Sequence, residues 1–333
     1  MRRQIVNDPD QIVPEALEGL VLSHPQLLEL NVEHRYVTRK SRASGKVGLV
    51  SGGGSGHEPL HAGFVGTGML DVAVAGAIFA SPTALQVLEA TQAADSGRGV
   101  VQIVKNYTGD VLNFRIAGEI SEDSSVQTEM VLVDDDLATD LGEESAGPGR
   151  RGTAATVIVE KICGAAAEEG ADLQEVAELG RRVASRARTM SLALQAGTHP
   201  GDDEPQFELP ADEVEFGVGI HGERGRSRES FRDADGLTAL LTDPLLDALE
   251  MPRGTEVLAI VNGLGSTYPI ELQLAARALH HRLADRGLSP ARWLVGPYVT
   301  SLDMHGFSIT LMPLDDELTR LWDAPVRTPG LTW

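Results

Sequence analysis

Short apolar runs alternate with segments of helical pattern through the first half of this chain. The apolar runs predict four strands, at Val47–Val50, Asp71–Ala75, Val100–Val104 and Glu129–Val133. Between them, Ser81–Ala94 and Thr108–Ile120 have the pattern of helices, and Ser81-Pro82 has the form of an N-cap followed by proline at the first helical position. Strands separated by helices predict a parallel, doubly wound sheet.

The second half of the chain continues the α/β pattern. Helices are predicted at Ala154–Glu169, Leu173–Arg188 and Glu271–Arg286, and strands at Ser191–Gln195, Glu213–Ile220, Glu256–Val261, Arg292–Val295 and Gly306–Met312. We interpret the charged stretch Glu223–Asp235 as a solvated loop and Leu137–Gly152 as a loop with the character of a mobile lid. A length of 333 residues suits two domains. We predict α/β domains at residues 1–189 and 190–333, each with a mostly parallel or mixed sheet flanked by helices.

Composition narrows the classes of function. Hydrophobic residues make up 42% of the chain and aromatic residues only 4%, so the core must rest on aliphatic side chains, as in parallel strands buried on both faces. The formal net charge of −21 argues against nucleic acid or an anionic membrane as a partner, and no apolar run is long enough to span a membrane. The only cysteine, Cys163, excludes an internal disulfide and fits a cytoplasmic protein in which this thiol packs in the core.

The stretch SGGGSGHEP, Ser51–Pro59, follows the first predicted strand and ends in an ionisable pair. Glycines allow close approach of the backbone to a ligand, and an α/β protein builds its site where strands end at the carboxyl edge of the sheet. The stretch is no Walker A loop, because no Gly-Lys-Ser/Thr closes it, and it is a poor dinucleotide fingerprint, because His57-Glu58-Pro59 stands where a helix should open. Taken alone, it also fits a tight turn that carries a surface histidine.

The sequence KNYTGD follows the third predicted strand and brings Lys105 and Asp110 to the same predicted sheet edge as Gly54 and His57. Thr108 is a candidate N-cap of the next helix. Asp110, alone, is explained as a first-turn carboxylate matched to the helix dipole. Beside His57 it becomes a candidate general base or a group that orients the histidine.

Two further polar clusters follow strands of the second half. His221 lies between glycines in GVGIHGE, which suggests an exposed imidazole that acts as a nucleophile or general base. The stretch Thr300–Ser308 contains Asp303 and His305, and loop stability explains most of it. A metal site made by His57, His61 and His221 is disfavoured, because Pro59 interrupts any helix that would carry the first two. A serine hydrolase is disfavoured as well, since the glycine run matches the Gly-x-Ser-x-Gly elbow only in outline.

Five stretches, in this order, closely resemble the dihydroxyacetone kinase family. They are GLVSGGGSGHEPLHAGFVGTGML, VQIVKNYTGDVLNF, EFGVGIHGE, TSLDMHGFSITL and LWDAPVRTPGLTW, and the resemblance runs from about residue 10 to the C-terminus. The similarity is to the substrate-binding K subunit, which also forms the first domain of single-chain kinases. It implies two α/β domains, a homodimer, and a dihydroxyacetone site between the domains.

The resemblance also implies a role for each candidate residue. The histidine of the HGE motif, here His221, attacks the substrate carbonyl and forms a hemiaminal, which selects short ketones over glycerol. Gly54, Ser55, Gly56 and His57 correspond to the loop that holds the hydroxyl to be phosphorylated. Lys105 and Asp110 match substrate-contacting residues. The residue chemistry agrees, because His57 and Asp110 can share the removal of the hydroxyl proton, and no metal need be held by this chain.

The phosphoryl donor is expected on a partner, because this chain has no obvious nucleotide-phosphate loop. In the family, an L subunit carries ADP or ATP with Mg²⁺, and in bacterial three-component systems a phosphocarrier M subunit fed from phosphoenolpyruvate recharges it. Arg224 stands where the family commonly has proline, and the loops Asp140–Arg151 and Arg224–Arg232 look altered. These departures leave room for a related substrate such as a tetrulose. A triose sensor that regulates transcription through a partner is a second hypothesis, and a nucleotide-binding oxidoreductase, which would need NAD affinity, is a third.

Overall fold

The computed structural model describes residues 4–41, 44–140 and 149–333, which form two compact α/β units. The first unit comprises residues 5–133, 156–185 and 317–333, and the second comprises residues 134–155 and 186–316 together with Gln4. Each unit is made of several separate stretches of the chain that contact one another. The predicted domains divide the chain at one point, between residues 189 and 190, and this boundary stays a prediction.

The first unit is built on a six-stranded mixed sheet. Its strands are β1 (Leu28–Asn31), β2 (Tyr36–Arg39), β3 (Gly48–Ser55), β4 (Val72–Ile78), β5 (Val100–Lys105) and β6 (Thr128–Val133), in the order β1-β2-β4-β3-β5-β6. Strands β4, β3, β5 and β6 are parallel, whereas β1 and β2 are antiparallel to their neighbours. The helices of this stretch are α1 (Ile12–Ser23), α2 (Ala84–Ala94), α3 (Thr108–Asp123), α4 (Ala155–Glu168) and α5 (Leu173–Arg186).

Strand β3 lies at the centre of this sheet, and all eight of its residues are buried. Valines of β3, β4 and β5 pack with Phe114 of α3 and with Val87 of α2 in one apolar cluster. The predicted end of this strand at Val50 is wrong, because the strand continues through the glycines to Ser55. A Cβ at Gly52 would lie only 2.4 Å from the carbonyl oxygen of Val74 on the adjacent strand. Glycine is therefore needed at this position for the close packing of β3 against β4, whether or not a ligand binds.

The starts of two helices differ from the predicted caps. Thr83, not Ser81, caps α2: its Oγ1 accepts a hydrogen bond from the backbone N–H of Gln86 at 3.3 Å, and its own N–H donates to Gln86 Oε1 at 3.0 Å. Ser81 and Pro82 precede this capping box. Helix α3 begins at Thr108, so Tyr107 is the capping residue, and its side chain makes no capping hydrogen bond.

The second unit contains a six-stranded sheet that is mostly antiparallel. Its strands are β7 (Arg188–Gln195), β8 (Glu213–Phe216), β9 (Ser227–Ser230), β10 (Glu256–Gly263), β11 (Ser289–Gly296) and β12 (His305–Pro313), in the order β11-β10-β12-β7-β8-β9, with only β10 and β11 parallel among the described strands. Helices α6 (Ala234–Leu249) and α7 (Pro269–Asp285) contribute apolar side chains to its core. Helix α8 (Asp316–Asp323) follows in the chain, and almost all of it belongs to the first unit.

The predicted α/β fold with two sheets flanked by helices is confirmed, and two predicted loops need correction. The stretch Glu223–Asp235 is not one solvated loop, because it contains the edge strand β9 and the first residues of α6. Sequence reasoning missed β9 because its residues are polar and at most half-buried. In the stretch Leu137–Gly152, a short 3-10 turn forms at Leu137–Thr139, and residues 141–148 lie outside the described residues. No described helix has the length and apolar character needed to cross a membrane.

Replacement of Thr83 by alanine tests the corrected cap. Thr83→Ala should lower the free energy of unfolding by about 1 kcal/mol, because the first turn of α2 loses the side-chain acceptor for the Gln86 N–H. Denaturant unfolding measures this loss. Ser81→Ala is the matched control and should leave the stability almost unchanged. A larger loss from Ser81→Ala than from Thr83→Ala would contradict the assignment.

Candidate functional site

Residues of the glycine run and of the KNYTGD stretch meet at the carboxyl edge of the first sheet. The chain runs from β3 to β4 on one side and then crosses to β5 on the other side of β3. Such a reversal leaves a crevice beyond the carboxyl ends of the parallel strands, where α/β proteins bind ligands. Gly53 near the end of β3 and Lys105 at the end of β5 lie at this point.

Lys105 is the charged centre of this edge. Its side chain is fully buried, and Nζ donates a hydrogen bond to the carbonyl oxygen of Gly52 at 3.2 Å. The same Nζ lies 2.7 Å from Nε2 of His61 and 3.8 Å from Oδ2 of Asp110. Burial lowers the pKa of Lys105, while the charges of Asp110 and Glu160 act in the opposite direction. A cation with a depressed pKa therefore lies among carboxylates beneath the glycine run.

Gly53 is required by this arrangement. A Cβ at this position would lie 2.4 Å from Nζ of Lys105 and 3.3 Å from Oδ2 of Asp110. No side chain fits there unless the ammonium moves, so glycine is what lets the backbone pass directly over the ion pair.

Asp110 lies in the first turn of α3 and is buried. Its Oδ2 faces Lys105, and its Oδ1 makes no hydrogen bond to any residue that the structure describes. The helix N-terminus favours a negative charge at this position. Buried polar atoms are nearly always hydrogen-bonded, so an open acceptor beside an ammonium is suited to a ligand hydroxyl.

His57 is completely buried, so its interpretation as a surface histidine is wrong. Its ring stacks on Phe79, with 5.1 Å between ring centroids and 19° between the ring planes. Gly56 precedes it with φ of 103°, a conformation that favours glycine, and the Gly56 N–H donates to the carboxylate of Glu58 at 3.1 Å. The imidazole is therefore held by the turn on one side and by an aromatic face on the other.

The other predicted loop residues serve the sheet. Ser55 Oγ donates a hydrogen bond to the carbonyl oxygen of Gly76 at 2.8 Å, on the adjacent strand β4. A Cβ at Gly54 would lie 2.8 Å from backbone atoms of Phe79. Both positions thus fix the course of the backbone around His57.

His61 and Glu160 complete this side of the site, and sequence reasoning gave neither of them a catalytic role. His61 Nδ1 lies 2.6 Å from Glu160 Oε1, and both side chains are buried. Burial lowers the pKa of His61 well below its usual value, helped by Lys105, and burial raises the pKa of Glu160 to about 8 against the opposing charge of Lys105. The available signal was a glutamate inside the apolar run Val157–Ile162 of α4, since a buried carboxylate needs a partner.

His221 lies in the second unit, in a separate cluster that is arranged around Glu223. Glu223 Oε2 accepts the backbone N–H of His221 at 3.0 Å, and Oε1 lies 3.1 Å from Nδ1 of the ring. Burial acts to raise the pKa of Glu223, but the bond to His221 and the charge of Arg151 lower it to about 2. An ionised Glu223 holds the ring proton on Nδ1, so Nε2 is the unprotonated nitrogen of the ring.

Arg151 ties the HGE motif to the described end of the altered loop Asp140–Arg151. Its guanidinium donates to the carbonyl oxygen of Gly217 at 2.9 Å and to Asp136 Oδ2 at 2.7 Å, and it lies 4.0 Å from Glu223 Oε2. Burial raises the pKa of Asp136 to about 6, although Arg151 opposes this shift. The side chain of Arg224, which stands where the family commonly has proline, is exposed.

The remaining candidate residues, Asp303, His305 and Cys163, have contacts or burial that fit a structural role. Asp303 Oδ1 accepts the backbone N–H of Thr198 at 2.7 Å, and His305 Nε2 lies 3.2 Å from the carboxylate of Glu271. Cys163 is buried in α4, and burial raises the pKa of its thiol to about 12. Within the described ranges, no group of three or more His, Cys, Asp and Glu side chains is arranged to hold a metal ion.

Comparison with known proteins shows the family to which the chain belongs. The sequence matches the Dak1 domain over residues 18–330. The chain belongs to the Dak1 family. This result confirms the resemblance to the substrate-binding subunits of dihydroxyacetone kinases that the sequence motifs predict.

Two bacterial relatives match this chain over nearly their whole length. The chain is 44% identical over 315 residues to the dihydroxyacetone-binding subunit DhaK of a phosphotransferase-system-dependent dihydroxyacetone kinase of Listeria innocua, covering 95% of each chain. It is 43% identical to the dihydroxyacetone-binding subunit DhaK of the phosphoenolpyruvate-dependent kinase of Escherichia coli, covering 99% of each. Among solved structures, a dihydroxyacetone kinase operon co-activator, DhaQ, matches with a TM-score of 0.89 and 32% identity over 94% of this chain and 96% of the other.

The reactivity of Cys163 tests whether its thiol is confined to the core. In the folded protein, an aromatic disulfide reagent should label this thiol at less than about one hundredth of the rate seen in denaturant, because burial disfavours the reactive thiolate. The released chromophore reports a single thiol per chain. Rapid, complete labelling of the folded protein would show that the thiol is accessible.

Proposed function

We propose that this chain is the dihydroxyacetone-binding subunit of a dihydroxyacetone kinase. Its relatives of that description match it over nearly the full length of both chains. The observation that carries the proposal is the open Asp110 oxygen beside the buried Lys105 ammonium, because this pair offers an acceptor and a donor to one hydroxyl. The two α/β domains predicted at residues 1–189 and 190–333 would then divide the chemistry between them.

His221 is the residue we propose for capture of the ketone. With the ring proton held on Nδ1 by Glu223, the lone pair of Nε2 adds to the carbonyl carbon and the C=O π pair moves to oxygen. The alkoxide oxygen takes up one proton from water, and Nδ1 loses its proton through Glu223 to water, so no net proton is gained and the product is a neutral hemiaminal beside an ionised Glu223. Glycerol has no carbonyl carbon and cannot form this bond.

Asp110, with His57, is the base we propose for the hydroxyl that is phosphorylated. The open carboxylate oxygen accepts the hydroxyl proton, and the Lys105 ammonium stabilises the developing negative charge. Gly54, Ser55 and Gly56 hold the backbone around this hydroxyl. Most of the catalysis then comes from positioning and from cations around the phosphoryl group.

The phosphoryl donor belongs to a partner in this proposal. An L-type subunit would carry ATP or ADP with Mg²⁺, and an M-type phosphocarrier would recharge it where phosphoenolpyruvate is the source. We further propose that the chain acts in the cytoplasm as a homodimer. A longer ketose, such as a tetrulose, is the alternative substrate that the altered loops allow.

A triose-sensing coregulator is the second candidate function. The match to an operon co-activator of the same fold supports it. The presence of His57, Asp110 and His221 together favours the kinase, because a sensor needs the capturing histidine and has no use for a base.

Replacement of His221 tests the capture step. His221→Ala should weaken dihydroxyacetone binding by about 100-fold or more, roughly 3 kcal/mol, because the covalent bond is lost. Calorimetric titration measures this, with glycerol as a ligand that should not bind to either protein. His305→Ala is the matched control, since this histidine also pairs with a glutamate, and it should bind as the unaltered chain does. Unchanged affinity in His221→Ala would rule out the hemiaminal.

Replacement of Asp110 tests the base. Asp110→Asn should reduce phosphoryl transfer by about 10²- to 10⁴-fold while ketone binding changes far less, because only proton removal is lost. Transfer is measured with the purified L-type partner, ATP and Mg²⁺. Asp123→Asn, an exposed position on the same helix, should transfer normally. Full transfer by Asp110→Asn would remove this residue from the role of base.

A further inference from the structure

A line of three buried ionisable groups runs from the candidate site into the first unit. Lys105 Nζ lies 2.7 Å from His61 Nε2, and His61 Nδ1 lies 2.6 Å from Glu160 Oε1. These side chains are shielded from bulk water, with exposed fractions of 0% for Lys105, 5% for His61 and 0% for Glu160. The proposed function uses Lys105 and leaves the other two without a role.

The hydrogen bonds around the ring set the direction of donation. An ammonium at Lys105 donates to Nε2, so the ring carries its proton on Nδ1 and donates it to Glu160. Ser51 Oγ, 3.0 Å from Nδ1, donates its own proton to the carbonyl oxygen of Ile103 at 2.7 Å. Ser51 therefore offers His61 only a lone pair. A continuous chain of donors and acceptors joins Lys105 to Glu160.

We propose that Lys105, His61 and Glu160 share one mobile proton, so that Lys105 can change its charge without exchanging a proton with solvent. In one state Lys105 is an ammonium and Glu160 a carboxylate, with the ring proton on Nδ1. In the other, a proton has moved from Nζ to Nε2 while the Nδ1 proton has moved to Oε1, giving an amine and a carboxylic acid. No proton is gained or lost, and the net charge is the same in both states.

Burial reduces the difference in free energy between the two states, because it penalises the charged form at each end of the line. It lowers the pKa of Lys105 and raises the pKa of Glu160 to about 8. The charged and titratable groups that face the line are Asp110 on α3, the His57 ring, and the Cys163 thiol of α4, which burial keeps neutral. Asp110 is the one among them that favours the ammonium state.

We call the shared proton path through Lys105, His61 and Glu160 the relay. Its role in catalysis rests on the proposed function. As negative charge develops on the ligand hydroxyl next to Lys105, the relay returns its proton to Nζ and supplies a full positive charge there. His61 and Glu160 then act as positioning residues, because they set the charge of Lys105 and do not touch the ligand.

Nuclear magnetic resonance of lysine side chains tests the coupling directly and needs no substrate. The chain has only four lysines, Lys40, Lys46, Lys105 and Lys161, so ¹⁵Nζ labelling gives four signals to follow against pH. Glu160→Gln should lower the titration midpoint of Lys105 by about one pH unit, because the carboxylate that supports the ammonium is gone. Glu168→Gln is the matched control on the same helix, and its carboxylate lies 3.9 Å from Lys46 Nζ. It should move the Lys46 signal and leave Lys105 unchanged.

An unchanged Lys105 midpoint in a folded Glu160→Gln variant would overturn the relay. Should that variant fail to fold, the unaltered chain still decides the question through the ¹⁵N signals of His61, assigned by their absence in His61→Gln. A shared proton gives partial protonation of both ring nitrogens, whereas one fixed tautomer across the Lys105 titration would overturn it. A chain that shows the coupling and does not bind dihydroxyacetone would refute the proposed function alone.

Discussion

The site in the first unit depends on how closely the backbone of β3 passes the ammonium of Lys105. Nζ bonds to the carbonyl oxygen of Gly52, and no Cβ fits at Gly53 without displacing it. On the side of β3, the cation is therefore covered by backbone, and the side chains of His61 and Asp110 contact it as well. This explains why a strand at the centre of a sheet, where glycine is normally destabilising, carries three glycines in succession. The glycines lower the stability of the strand, but without them the backbone could not pass so close to the buried charge of Lys105.

In the second unit, the contacts of Glu223 hold the imidazole of His221 in one tautomer. Glu223 contacts the backbone N–H and the Nδ1 of the same residue, so the carboxylate fixes both the turn and the ring. The bond to His221 and, after it, the charge of Arg151 lower the pKa of Glu223 to about 2, and the Arg151 guanidinium is also bound to Asp136. This order of contacts keeps Nε2 unprotonated, which is the form of the ring that the proposed capture step needs.

Sequence reasoning found the central strands of both sheets and the helices α2 to α5 and α7, and it missed β1, β2, β9, α1, α6 and α8. The valine-rich strands and the helices α2 to α5 were predicted within a few residues, because burial on both faces leaves a clear pattern. The edge strand β9 is polar and gives no such signal. The cap of α2 was misplaced because Ser81 and Thr83 both fit a cap, and only the side-chain contacts of Gln86 distinguish them. Glu160 was missed for a related reason: its partner His61 lies 99 residues away along the chain.

The charges around Lys105 limit which protonation states this fold can tolerate. Two carboxylates, Asp110 and Glu160, are buried with one ammonium, and the His61 ring stays neutral because burial and Lys105 lower its pKa. If both carboxylates were ionised, one negative charge would be left without a partner, which is costly in a buried site. Burial raises the pKa of Glu160 to about 8, so Glu160 is the end of the relay that takes up the proton when Lys105 becomes an amine. When the proton returns to Nζ, the ammonium again faces Asp110, whose second oxygen makes no hydrogen bond within the described residues.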